Sequence, residues 1–197
     1  MGVSIGRAAL KTFTDPISFQ KSLSGLQRVL GLLVESSSLQ VAISDASRLT
    51  CAPFGFLYRN SAKEDAKILS RAFEFAQEHE TEPLLIGGAV VGIRCENSRE
   101  AKEEALSIRN YVEELLDIER MEQFSSILYI NQAAALKQAI LQKEDYRRAR
   151  EKIVQRLLAN RPPGARLPPD PNDIKEPSEI IQLTAVDILQ YGLNKPR

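Results

Sequence analysis

Few residues of this chain have the types and spacing that covalent chemistry needs. Cys51 and Cys95 are the two thiols, and His79 is the one imidazole. A nucleophilic thiol needs its thiolate stabilised and a base within hydrogen-bond reach. Cys95 stands just before a helix start, where a thiolate is favoured, so Cys95 with His79 is the pair to weigh first, with Cys51 as the alternative thiol. No spacing ties either thiol to His79, which sits in the charged run EHETE at 78–82. Structural cysteines are therefore the default, and no catalytic residue is assigned. One histidine and two cysteines match none of the familiar metal-ligand spacings, so neither a metal nor a cofactor is expected.

The stretch PLLIGGAVVGIRCENSREAKEE at 83–104 raises a second possibility, a phosphate loop. Gly87 and Gly92 have the separation of the two glycines of a P-loop, but Ile93 and Arg94 follow where Lys and a hydroxyl residue are required. Gly87, Gly88 and Gly92 also do not fit a dinucleotide fingerprint leading straight into a helix. Two short apolar runs flanking Gly87-Gly88 suggest a tight β-hairpin near 84–95. Asn97 with Glu100 three residues on then forms a capping box opening an acidic helix.

Surface recognition is the remaining kind of chemistry. TCAPFGFLYRN at 50–60 is expected to be a loop, and Phe54, Phe56 and Tyr58 in it are candidate anchors for a partner. The competing reading, a loop folded over the core, is preferred. A basic helical tract carries Lys143, Arg147 and Arg150 on one side of its apolar seam, with Arg148 and Lys152 on the other. Flanking charges of this kind suit pairing with another helix better than phosphate binding. Nucleic-acid association through 143–156 is kept as an alternative.

The elements behind these residues read as mainly helical. Asp15-Pro16 is an N-cap followed by a first-turn proline, and Phe19, Leu23, Leu26, Leu30 and Leu33 follow at helical spacing. SSLQVAISDASRL at 37–49 fits either a strand by its alternation or a helix over a longer window, and the helix is preferred. Ser61 and Glu64 form a capping box for a helix burying Leu69 and Phe73. Between 96 and 122 lie nine acids and four basic residues, and between 137 and 161 eight basic residues and three acids. The balanced total of 26 basic and 26 acidic residues thus conceals an acidic and a basic helix.

Six of the ten prolines fall within 161–177, which is expected to run as an extended arm. It leads to a short terminal helix capped by Ser178, closed by Gly192 and burying Ile181, Ala185, Ile188 and Leu189. Docking of that arm in its own subunit or in a neighbour is equally supported. The expected organisation is a helical body at 1–161 and an arm with its terminal helix at 162–197. The expected architecture is a bundle of about five helices with one hairpin.

The runs EEALSIRNYVEELLD at 103–117 and TAVDILQYGL at 184–193, with DPISFQKSLSGL at 15–26, resemble the helical region of tailed-phage DNA-circularisation (tail/baseplate) proteins. The resemblance implies a structural component of a phage tail or virion and carries over no functional residue. The β-rich N-terminal domain typical of that family is not found in this sequence.

Composition and resemblance together predict a non-enzymatic structural or adaptor protein. It would form homo-oligomers or larger assemblies through its charged helices and its arm, with Ile181, Ile188 and Leu189 as arm contacts. A small enzyme using Cys95 and His79 is the second reading. With no net charge, nucleic acid is not favoured as a partner. The longest apolar run is too short to span a bilayer, so no membrane is expected, and the setting is the cytoplasm or a virion assembled in it.

Overall fold

Arg28–Val34 reads RVLGLLV, and every residue from Val29 to Val34 is buried. Such a run suits a strand covered on both faces, and β2 (Arg28–Val34) lies at the centre of a six-stranded sheet. The computed structural model describes residues 10–80, 83–94, 98–116, 124–159 and 183–193. The strands flanking β2 come from two separate parts of the chain.

On one side β2 pairs antiparallel with β3 (Ser38–Ser44), which pairs antiparallel with the edge strand β4 (Cys51–Tyr58). On the other side it pairs parallel with β5 (Ile86–Ile93), then β5 with β6 (Ser126–Asn131), and β6 with the short β1 (Lys11–Phe13). The order is β1-β6-β5-β2-β3-β4.

Helices α1 (Pro16–Ser22), α2 (Ala62–His79), α3 (Arg99–Leu115), α4 (Gln132–Ala159) and α5 (Ala185–Leu193) cover the two faces. One face, with Leu30, Leu32, Val91, Ile127 and Tyr129, receives α2 and α3 through Leu69, Ile108, Val112 and Leu115. The other, with Val29, Leu33, Val90 and Leu128, receives Phe19 of α1, Ala135 of α4, and Ala185, Ile188, Leu189 and Leu193 of α5. Beyond Ile140, the described side chains of α4 are exposed, except Glu144, which is half-buried.

This mixed α/β architecture corrects the expected helical bundle. The apolar stripe from Phe19 to Leu33 divides between α1 and β2, because a strand buried on both faces is apolar throughout and imitates a helical stripe. At 38–44 the alternation was the right signal and the helical window misled. The expected loop at 50–60 is mostly strand β4. Its Pro53 and Gly55 are tolerated because the strand lies at the sheet edge, opposite a register shift between Val41 and Ala42. The expected hairpin near 84–95 is the single strand β5. Gly88 is needed there for close packing, since a Cβ would lie 2.7 Å from the Ser126 carbonyl oxygen and 2.9 Å from the Phe19 ring.

The expected caps of α1 and α2 hold, whereas those of α3 and α5 fall on other residues. Asp15 caps α1, accepting from the Ser18 amide at 2.8 Å. Ser61 and Glu64 make the capping box of α2. The acidic helix α3 is capped by Ser98, whose hydroxyl accepts from the Ala101 amide; Asn97 lies outside the described residues. α5 is capped by Thr184 and Asp187 in the same reciprocal way, Ser178 lies outside the described residues, and Gly192 falls inside the helix. α5 packs against β2, β3 and β5 of its own chain. Residues 160–182, including the proline-rich run and Ile181, lie outside the described residues.

One buried polar link joins α2 to α3. The Tyr111 hydroxyl donates to the Asp65 carboxylate at 2.6 Å, the Asn60 amide donates to it at 3.0 Å, and Asp65 is 0% exposed. Burial, then the adjacent carboxylate, holds the Tyr111 phenol well above its ordinary range. Tyr111→Phe leaves a buried carboxylate with one donor fewer, and should lower stability by about 1–3 kcal/mol in urea denaturation. An unchanged midpoint would contradict this role.

Candidate functional site

The parallel strands β2, β5 and β6 all run to the same edge of the sheet. In open α/β sheets, ligands gather outside the carboxyl ends of the strands. A groove of about 860 Å³ lies there. Its floor includes Leu33 and Val34 at the end of β2, and its walls come from the 35–38 turn, β4, and the segments that follow β5 and β6.

The turn between β2 and β3 is held from two directions. The Glu35 amide donates to the Ser38 carbonyl at 2.9 Å, and the Ser38 hydroxyl donates to the Glu35 carboxylate at 2.5 Å. From the side, Arg59 donates through its amide to the Ser37 carbonyl and through its guanidinium to the Glu35 carbonyl at 3.0 Å. That guanidinium lies over the Tyr111 ring, 4.2 Å from the centroid. The Asp65–Tyr111 link therefore supports the groove turn as well as the helix pair.

Arg94 follows β5 and faces Glu104 of α3 at 3.6 Å, with 60% and 45% of the side chains exposed. An exposed pair this long contributes little, so the guanidinium is free to exchange its partner for an anionic ligand. Gln132, the first residue of α4, donates to the Gly92 carbonyl at 3.1 Å and also lines the groove. The basic helix thus begins at the groove rim. Its 28 residues span about 42 Å at 1.5 Å per residue.

The groove holds two carboxylates among its described residues, Glu35 and Glu104, each already facing a partner. Among the described residues no group of three or more His, Cys, Asp or Glu stands close enough to hold a metal ion.

Of the sequence candidates, Phe56 and Tyr58 line the groove. Phe54 turns to the other face and stacks on Phe73 of α2 at 4.8 Å. Ile188 and Leu189 are fully buried against the sheet and are core residues. Arg147 and Arg148 are exposed, with pairs to Glu151, Glu144 and Asp145 at 3.9 Å, and Lys152 is exposed too. The Arg150 side chain lies outside the described residues.

The basic and acidic helices sit on opposite faces of the sheet, so their charges serve separate surfaces. Burial, then Asp45, pushes the Cys51 thiol up to about 11. It belongs to the α5 face, whereas His79 ends α2 on the other, its Nδ1 2.8 Å from the Phe75 carbonyl. Cys95 lies outside the described residues. Sequence reasoning did not single out Glu35, Ser38, Gln40, Arg94 or Gln132, because strand pairing, and no spacing motif, brings them together.

No protein-family model matches the chain. A protein of Paramagnetospirillum magneticum (strain ATCC 700264 / AMB-1), described as "Putative pre-16S rRNA nuclease", is 26% identical over 147 residues. The match takes in 73% of this chain and 87% of that protein. Among solved structures, T. thermophilus RuvC in complex with Holliday junction substrate aligns over 84% of this chain and 93% of its own, at 13% identity. The TM-score is 0.39.

The sequence match overturns the tailed-phage resemblance, which rested on helical patterns of low specificity. It equally overturns the expectation of a non-enzymatic structural or virion protein for which nucleic acid is disfavoured, since the matched protein is named for an activity on an RNA precursor. The zero net charge misled because opposite charges are segregated on different faces. Among the described residues no helix is long and apolar enough to cross a membrane. The sequence match is thus to a protein described as a nuclease and not to a phage tail protein.

Proposed function

We propose that this chain is a nuclease-related protein that acts on RNA, engaging the strand in the groove at the carboxyl edge of β2 and β5. The observation that carries the reading is the match to the P. magneticum protein described as "Putative pre-16S rRNA nuclease", which extends over 87% of that protein's length. Two features of the site support it. The groove mixes a guanidinium, hydroxyls, carboxamides and aromatic rings, the side-chain types that contact phosphates and unpaired bases. Helix α4, which starts at the rim, exposes Lys137, Lys143, Arg147, Arg148, Lys152 and Arg156, and cationic side chains on an accessible helix supply sequence-independent phosphate contacts.

Nucleases commonly use a pair of metal ions held by acidic ligands. The described residues do not fit such a pair. Glu35 and Glu104 are the two groove carboxylates, and one is hydrogen-bonded by Ser38 while the other faces Arg94. Recognition of RNA is what the geometry supports best.

The test is retention of a labelled precursor-rRNA fragment at low salt. Wild-type protein should shift the RNA, and Arg94→Glu should weaken the shift while thermal stability stays unchanged. Denaturing gels of the same samples read out hydrolysis, with Glu35→Gln removing the carboxylate at the end of the central strand. Absence of any RNA shift at low salt would overturn the proposal.

A further inference from the structure

Strand β4 carries two pairs of apolar residues with opposite fates. Phe54 and Leu57 pack into the core beneath α2. Phe56 and Tyr58 face the groove and are 56% and 79% exposed. Fold stability accounts for the first pair. It does not account for two adjacent rings left in solvent on one wall of a polar groove.

Their neighbours across the strand are set by register. Gln40 of β3 stands opposite Phe56, and Ser38 stands opposite Tyr58. Directly opposed residues in an antiparallel pair project from the same face, and all four line the groove. The Ser38 hydroxyl is engaged by Glu35. The Gln40 carboxamide is half-buried and has no hydrogen-bond partner among the described residues. A donor and an acceptor, side by side, therefore lie next to an aromatic wall.

The ring geometry limits what fits. The Phe56 and Tyr58 centroids are 5.4 Å apart and their planes are 89° apart. Perpendicular rings cannot both lie flat against one planar ligand. A ligand stacked on one ring meets the other at its edge, so the pair accommodates one planar group.

We infer that this corner of the groove is a subsite for a single unpaired adenine, stacked on the Phe56–Tyr58 pair and read along its N6/N7 edge by the Gln40 carboxamide. The inference rests on the RNA reading above and deepens it. Bases within a duplex are covered by their neighbours, whereas unpaired bases are free to stack on protein aromatics. A carboxamide matches the N6 donor and N7 acceptor of adenine in a bidentate pair. Guanine offers two acceptors on the same edge, and uracil one acceptor beside a carbon, so neither completes both bonds.

Fluorescence anisotropy with short labelled oligoadenylate and oligouridylate tests the subsite. Wild type should prefer oligoadenylate and should quench 8-vinyladenine, a fluorescent adenine that keeps N6 and N7, placed within it. Phe56→Ala with Tyr58→Ala should weaken oligoadenylate binding roughly fivefold or more and abolish the quench. Tyr58→Phe, which keeps the ring, should retain wild-type binding, and Gln40→Ala should equalise the two oligonucleotides while leaving the quench.

If wild type binds RNA but the double alanine variant binds equally well, the subsite is refuted and the RNA reading survives. RNA affinity that persists while the variant changes oligomeric state or melting temperature would assign the rings to a protein contact and also refute it. If wild type binds no RNA at low salt, the broader reading fails with it.

Discussion

Gly31→Ala should destabilise the protein by about 2–4 kcal/mol, an effect far larger than one added methyl usually produces. Gly31 lies mid-strand in β2, directly beneath α5. A Cβ at this position would sit 2.5 Å from the Ala185 carbonyl oxygen and 2.6 Å from the Leu189 Cβ. Neither atom is the far end of a flexible side chain, so the whole of α5 would have to lift from the sheet. Lifting it loosens Ala185, Ile188, Leu189 and Leu193, which close that face of the core.

Leu183, just ahead of α5, lines the groove, so the same shift should disturb ligand binding. Gly55→Ala is the internal control, since nothing lies within 4 Å of a Cβ built there. Urea midpoints for the two variants measure the difference. Equal midpoints would mean that α5 does not rest on β2 as described.

Neutralising α4 should alter RNA binding in a different way. Arg147→Ala, Arg148→Ala and Lys152→Ala remove three cations from the part of the helix that stands clear of the sheet. Their ion pairs, all at 3.9 Å or unobserved among the described residues, contribute little to stability. Folding should therefore be unaffected.

Each lost phosphate contact removes about 0.7 from the slope of log affinity against log salt for a single strand, so three should reduce it by about 2. Affinity at low salt should fall roughly tenfold or more, equally for oligoadenylate and oligouridylate. The uncharged groove variants, Gln40→Ala and Phe56→Ala with Tyr58→Ala, should show the reverse pattern, with base preference lost and the salt slope kept. A triple variant with an unchanged slope would remove α4 from the interface.

How far the sequence foretold this structure depends on the range over which each feature is encoded. The caps at Asp15-Pro16 and at Ser61 with Glu64 were legible because their hydrogen bonds span three residues. α2 and α3 were legible because each buries one stripe and leaves the other side in water. β2 and β5 were not. Both are covered on two faces, so the polar alternation that marks a strand is missing, and Gly87-Gly88 then imitated a turn. β4 imitates a loop because Pro53 and Gly55 are poor strand residues everywhere except at an edge.

The site was legible only in part. Phe56 and Tyr58 stood out by type, and the same window also drew in Phe54, which packs beneath α2. Glu35, Gln40, Arg94 and Gln132 carry no local signature. They meet because β2 pairs with β3 on one side and β5 on the other, and because α4 begins where β6 ends. The basic stretch at 143–156 is visible in the sequence, but its flanking charges imitate those of a helix pair. Its acidic counterpart α3 lies across the sheet, which leaves the basic helix open to another anionic partner.

Ultraviolet cross-linking of bound RNA, followed by peptide mapping, tests the central claim most directly. Placing the strand in the groove predicts adducts on the peptide bearing Phe56 and Tyr58 and on the 33–40 segment, with further adducts along α4. Adducts confined to the outer surfaces of α2 and α3, on the far side of the sheet, would contradict it.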